Sequence, residues 1–160
     1  MIVVTQDRLK ELLHYDPETG VFTWLVSRGR VVAGEIAGGL DSWGYWRIKI
    51  DGNPYQAHRL AFLCMTGKWP EGEIDHENTI KTANNWENLR PASRSQNEVN
   101  KPAKGSVGLK GVRFQHGKFV ASIGVDHKRL HLGTYVTAEE AHAAYVKAAT
   151  EHYGEFARAA

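Results

Sequence analysis

Cysteine is almost absent from this chain: Cys64 is the only one in 160 residues, so an internal disulfide and any multi-cysteine zinc ribbon are excluded. It sits in the apolar run Leu60-Ala61-Phe62-Leu63-Cys64-Met65 and reads as a buried thiol. Long hydrophobic runs are missing too, since no stretch approaches the roughly 20 apolar residues that a membrane span needs. Met1-Ile2-Val3-Val4-Thr5 has neither the charged region nor the cleavage site of a signal peptide. These absences predict a soluble, cytoplasmic protein without a membrane partner. An excess of one charge sign is also lacking, because the formal net charge is only +2, and the distribution of charge must be read instead of its total. What the chain does have is 42% hydrophobic content, enough for a core but in a length short for two large domains. One compact unit with a small appended module is the expected organisation.

Leu9, Leu12 and Leu13 recur at helical spacing behind a Thr5 cap, which predicts a short amphipathic helix over residues 5–14, and Asp16-Pro17-Glu18-Thr19-Gly20 ends it as a turn. Val21–Trp24 and Tyr45–Ile50 read as strands, and Asp51-Gly52-Asn53 is a hairpin signal before a further strand from Tyr55. From His58 to Gly67 the pattern becomes an apolar helix. Residues 72–90 then carry polar loop chemistry around Ile74-Asp75-His76 and Asn88-Leu89-Arg90, followed by a Ser93-capped helix to Asn100. The linker composition of Asn100-Lys101-Pro102-Ala103-Lys104-Gly105-Ser106 marks a boundary. Beyond it, three β-prone runs (111–114, 119–123 and 129–135) form a meander, and the capping box Thr137-Ala138-Glu139-Glu140 opens a helix along Ala141, Ala144, Tyr145, Ala148 and Ala149. Between residues 101 and 131, Lys101, Lys104, Lys110, Arg113, Lys118, Lys128 and Arg129 face the single acid Asp126. The positive charge therefore falls on the sheet and not on the helix.

Asp75 and His76 are adjacent, with Asn88 and Asn97 following in a strand, loop, strand, helix arrangement. Hydrolysis of a phosphodiester needs an activated water, a cation on the developing anion, and a group that orients the base. A neutral imidazole can accept a proton from water, and a carboxylate with an amide oxygen suits a hard ion such as Mg²⁺. Turn-forming polar residues would account for the same residue types, so composition alone leaves both readings open.

The run Ile74-Asp75-His76-Glu77-Asn78 through Asn84, Asn88-Leu89-Arg90, and Arg94-Ser95-Gln96-Asn97-Glu98-Val99-Asn100 resembles the phage and intron-associated HNH homing endonucleases. Tyr15–Gly20 with Thr23-Trp24, and Ala57–Phe62 with Thr66–Pro70, are similar to the same proteins, so that the resemblance covers residues 8–100. It implies an α+β chain in which a small N-terminal β structure leads into a ββα-metal nuclease fold, core about 56–100, within an HNH domain spanning 1–100. It further implies His76 as general base, Asn88 as the residue orienting its ring, and Asp75 with Asn97 as ligands of one divalent cation, Mg²⁺ or Mn²⁺. Asn97 stands where some relatives have histidine, which argues against tight zinc binding. The implied activity is metal-dependent nicking of double-stranded DNA to 5′-phosphate and 3′-hydroxyl ends, in a bacterial or phage-infected cell, by a monomer with a dimer left open. Two departures from the family pattern, Thr79-Ile80 and Ala83-Asn84-Asn85, fall in the loop.

After a linker at 101–107, residues 108–160 resemble the AP2 DNA-binding domain through Gly111-Val112-Arg113, Gly117–Ile123, Leu132–Tyr135 and Thr137–Ala141 with Ala144-Tyr145. That resemblance implies a three-stranded antiparallel sheet with one packed helix, and Lys110, Arg113, Gln115, Lys118, Ser122, Arg129 and His131 facing DNA, with Arg90 and Arg94 added from the HNH motif. Gly124 and His131 replace a common arginine and a common tryptophan, so base preference does not transfer.

Blander readings apply elsewhere. Phe22, Trp24, Trp43, Tyr45 and Trp46 are expected in core packing more than in base stacking. Arg28, Arg30, Arg47 and Lys49 fit phosphate contacts and simple solvation equally. His58 reads as a site residue or as a structural histidine with its hydrogen bonds met. His127 and His131, four apart in a hairpin, are not expected to form a second metal site. The competing function is a DNA-binding regulator that keeps the HNH fold only as a scaffold, and a nuclease directed at RNA is a third.

Overall fold

The structure, a computed structural model, describes residues 3–103, 107–126 and 128–157. Lys104 of the basic run, part of the 101–107 linker and His127 of the histidine pair lie outside the described residues. The chain divides into two compact units, Met1–Pro91 and Ala92–Ala160.

The first unit begins with helix α1 (Gln6–Leu12), where the Thr5 side chain accepts the backbone N–H of Arg8 as a helix cap. The helical spacing predicted a helix to residue 14, but the structure ends it at Leu12. Leu13–Tyr15 forms strand β1, paired antiparallel with β2 (Phe22–Trp24). The turn between them overrides the helical pattern. Asp16 accepts backbone N–H groups of Glu18 and Gly20 through its side chain and carbonyl, and Gly20 takes φ +75° to close the loop. Strands β3 (Gly39–Leu40), β4 (Trp46–Ile50) and β5 (Asn53–Gln56) form a three-stranded antiparallel sheet in that order. Helix α2 (Ala57–Thr66) follows at once and stops at Gly67, which is left-handed at φ +75° and bonds back to Leu63. Leu9, Leu13, Phe22, Ile48, Ile50, Leu60 and Leu63 are fully buried between these layers. Each such side chain contributes roughly 1.5–3 kcal/mol over an exposed one. Strands β6 (Glu73–His76) and β7 (Leu89–Ala92) pair as a two-stranded sheet, joined by the polar loop 77–88.

The second unit contains α3 (Arg94–Asn100), opened by a full capping box between Ser93 and Gln96. It continues with β8 (Val112–Gln115), β9 (Lys118–Val125) and β10 (Lys128–Tyr135) in the antiparallel order β10-β9-β8, and with α4 (Ala138–Tyr153), capped by Thr137 and Glu140. Helix α4 packs on β9 and β10. The sequence places a boundary after residue 100, whereas α3 joins the second unit: Val99 is buried with Ile123, Tyr145, Ala148 and Ala149. The Lys110 ammonium also donates to the carbonyls of Val99 and Lys101. Among the described residues no helix is long and apolar enough to cross a membrane.

Gly111 has φ +74°, and a Cβ there would lie 1.9 Å from the Tyr145 ring. A Gly111→Ala variant combines left-handed strain with overpacking, so we expect a loss of about 2 kcal/mol or more in denaturant unfolding of the second unit.

Candidate active site

Strand β6 brings Ile74, Asp75 and His76 out of the solvent, all three buried. Neighbours on a strand project to opposite sides, and the two polar residues find different partners. The Asp75 side chain is only 4% exposed, and its Oδ2 meets the Arg90 Nε of β7 at 3.0 Å. Arg90, expected to touch DNA, thus serves the first need of a buried carboxylate, a compensating cation.

His76 turns instead toward loop 77–88, where its Nε2 lies 3.0 Å from Asn84 Oδ1. The other end of that amide, Nδ2, donates to the Thr82 carbonyl at 3.3 Å, which sets which end faces the histidine. An oxygen facing Nε2 requires the proton on Nε2 and leaves the ring lone pair on Nδ1. Burial holds the His76 pKa below the ordinary imidazole value, opposed by the Asn84 hydrogen bond and the Asp75 charge. The ring is therefore a neutral acceptor near physiological pH. Two more rings surround it: His58 of α2, edge-on at 76° with centroids 5.0 Å apart, and Tyr45 at 6.3 Å. The Lys81 ammonium sits 4.7 Å from the centre of the Tyr45 ring and donates to the Trp43 carbonyl.

Asn88, expected to orient His76, acts on the loop. Its Oδ1 accepts the Asn78 N–H at 3.0 Å and its Nδ2 donates to the Ala83 carbonyl at 2.7 Å, while its backbone carbonyl accepts the Glu77 N–H. One side chain thereby ties both ends of loop 77–88 together. The side chain that touches the His76 ring is Asn84, present in the sequence motif but not singled out, because a run of asparagines gives no sign of which one reaches the histidine. Thr79, one of the two departures from the family pattern in the loop, has φ 64°, a left-handed conformation that glycine takes freely and a β-branched residue does not.

Asn84 is itself held from the N-terminal segment. The Tyr15 hydroxyl donates to its carbonyl at 2.7 Å, and Trp86 N–H donates to the Pro17 carbonyl at 2.8 Å. A Cβ on Gly20 would lie 2.3 Å from the backbone at Asn84 and Asn85, so only glycine allows this approach. Trp86 in turn stacks against Phe62 of α2.

Of the remaining sequence-predicted residues, Asn97 and Arg94 lie on α3 in the second unit. The registers Arg113↔Val120, Gln115↔Lys118, His131↔Ser122 and Arg129↔Gly124 put Arg113, Gln115, Lys118, Ser122, Arg129 and His131 on one face of the three-stranded sheet. Lys110 is not on that face, being engaged with the two carbonyls that hold α3.

Residues 55–99 match the family model of the HNH endonucleases. The match runs from β5 through most of α3, and a domain of that family suggests a nuclease. HNH nucleases generally use a divalent metal. Among the described residues no group of three or more His, Cys, Asp or Glu is gathered that could hold a metal ion. The buried Asp75 carboxylate is a donor type that suits a hard ion which keeps several of its waters. At Asp75 the ion would share the carboxylate with Arg90.

Burial, then the neighbouring His76 and Arg59, lowers the His58 pKa to about 3, while the unfolded chain titrates near the ordinary 6.5. Between those values the unfolded state binds the extra proton, so this contribution to stability is complete above about pH 6.5 and is lost as the pH falls toward 3. Replacing His58 by phenylalanine should flatten the acid arm of a stability-versus-pH curve by up to about 1.4 kcal/mol per pH unit. An unchanged slope in urea titrations across that range contradicts this assignment.

Proposed function

We propose that this protein is a metal-dependent, homing-type DNA endonuclease that nicks one strand per centre and leaves 5′-phosphate and 3′-hydroxyl ends. The observation that carries the reading is His76, buried and neutral, with Nε2 tethered to Asn84. In this reading Nδ1 takes a proton from water, the water oxygen bonds to phosphorus, and the bond from phosphorus to the 3′ oxygen breaks. Asp75 and Asn97 would hold Mg²⁺ or Mn²⁺, which when bound supplies positive charge to the phosphate and the departing oxygen. Asn84 fixes the plane of the base, Asn88 the loop that carries Asn84, and Arg90 the Asp75 carboxylate.

The second unit supplies the grip on duplex DNA. Its sheet presents Arg113, Gln115, Lys118, Ser122, Arg129 and His131 on one face, as an AP2-like reader would. A groove of about 660 Å³ in the same unit is lined by Arg94, Lys128 and Arg129, together with Lys101, which is paired with the groove's one acid, Glu98. That excess of cations is the electrostatic footprint of a phosphate backbone.

Supercoiled plasmid incubated with Mg²⁺ should be converted to the nicked form by the parent protein and left intact with EDTA. His76→Ala should slow the reaction by about 10²–10⁴, and Asn84→Ala by about tenfold or more through loss of ring orientation. Cleavage by His76→Ala at the parental rate rejects the proposed base. DNA binding without cutting under any metal condition favours a regulator that retains the HNH domain as scaffold.

A further inference from the structure

Trp43, expected in core packing, is 70% exposed. It is nevertheless held in place. Asp41 Oδ1 accepts the backbone N–H groups of both Trp43 and Tyr45 at 2.9 Å. The Asp41 N–H donates to the Tyr45 carbonyl at 2.8 Å, Gly44 takes φ +80°, and the Trp43 carbonyl accepts the Lys81 ammonium at 2.7 Å. A turn tied at so many points presents its ring in one place, which reduces the ordering that a ligand stacked on it must impose. The ring lines a groove of about 400 Å³, with Arg47, Tyr55, Arg59 and Trp69 among its other walls. Trp69 Nε1 donates to the Val4 carbonyl and the Tyr55 hydroxyl accepts the Val4 N–H, so both of these rings are anchored. Arg59 donates to the carbonyls of Pro70 and Gly72. The Arg47 guanidinium has no such partner among the described residues. Arg47 and Lys49 fall on one face of β4, while Ile48 and Ile50 are buried on the other. Asp41, the groove's one acid, has its Oδ1 engaged within its own turn.

A fixed indole and an uncompensated guanidinium in one groove suit a nucleotide. Every base has a flat face to stack on a ring, and its phosphate suits the planar fork of arginine. A base inside a duplex has both faces covered by its neighbours, so the occupant has to be unpaired. We propose that Trp43 and Arg47 form a contact site for an unpaired nucleotide of the nucleic-acid substrate, with the base on the Trp43 ring and the phosphate at Arg47. The inference rests on the nuclease reading and gives the first unit its own hold on a strand. The site adjoins the catalytic histidine through short links. Lys81, of the loop that carries Asn84, joins the Trp43 carbonyl, and the Tyr45 ring stands 6.3 Å from the His76 ring. An acidic protein segment is the competing occupant, and it has no base to stack.

The probe is a fluorescein-labelled oligothymidylate, titrated with the full chain in EDTA and followed by anisotropy, beside a blunt duplex of the same length. Trp43→Ala should weaken single-strand binding by about tenfold, the loss of one stacked base, and leave duplex affinity unchanged. Trp43→Phe should regain most of that loss, because a smaller ring still stacks. Arg47→Ala should reduce the slope of log affinity against log salt by about 0.7, the value of one single-strand phosphate. Neither side chain is buried, so melting temperatures should stay at the parental value. A Trp43→Ala affinity within twofold of the parent overturns the proposal and leaves the ring to a protein segment. So does an equal loss in Trp43→Ala and Trp43→Phe, or a loss of the same size on the duplex. If Trp43→Ala fails to fold, Trp43→Phe against Trp43→Leu decides, equal affinities overturning the proposal. A parent that nicks under no condition yet binds oligothymidylate through Trp43 refutes the nuclease reading and keeps this site. An active parent whose single-strand affinity ignores Trp43 does the reverse.

Discussion

The hydrogen bond between His76 Nε2 and Asn84 Oδ1 is the contact on which the architecture of the first unit converges. It determines which nitrogen of the ring carries the proton, and so which one can act as a base. Asn84 can hold that place only because Tyr15, Pro17 and Gly20 clamp the loop from the N-terminal hairpin and Asn88 ties the loop to itself. Residues that lie outside the family match thereby set the geometry inside it. The turn at 16–20, which looks like a connector between two short strands, is a wall of the site.

Polarity in this centre is kept in separate compartments. Asp75 is compensated by Arg90 on the neighbouring strand, while His76 meets Asn84 on one side and the rings of Tyr45 and His58 on others. The adjacency of the two residues along the chain makes this possible, because a strand sends consecutive side chains in opposite directions.

Much of the element pattern was legible from the sequence, and for identifiable reasons. The Ser93 and Thr137 caps, Gly67 as a helix stop and the apolar periodicity of α2 and α4 are local signals whose physics acts within a few residues. The set expected on the three-stranded sheet came from the AP2 resemblance, and the strand registers put all of it except Lys110 on one face. The failures were long-range. Leu13 continues a helical stripe, but the pairing of β1 with β2 takes it into a strand. Asn84 and Asn88 are chemically identical, and only the fold tells which reaches the histidine and which braces the loop. His58 could be placed near the motif but its unmet nitrogen could not be read from any spacing, and Lys110 looked like a phosphate contact until Val99 and Lys101 claimed it.

Helix α3 gives the chain an unusual unit of inheritance. The HNH match ends at Val99, yet Val99 is part of the hydrophobic core built by the sheet and α4. The residue that ends one module by descent is a structural member of the next. An exchange of C-terminal units between proteins of this design, cut at the end of the family match, would strand a core residue without its partners. Exchanging that unit therefore requires the recipient to bring its own surface for α3, and the sheet face is free to vary only while the packing beneath this helix stays fixed.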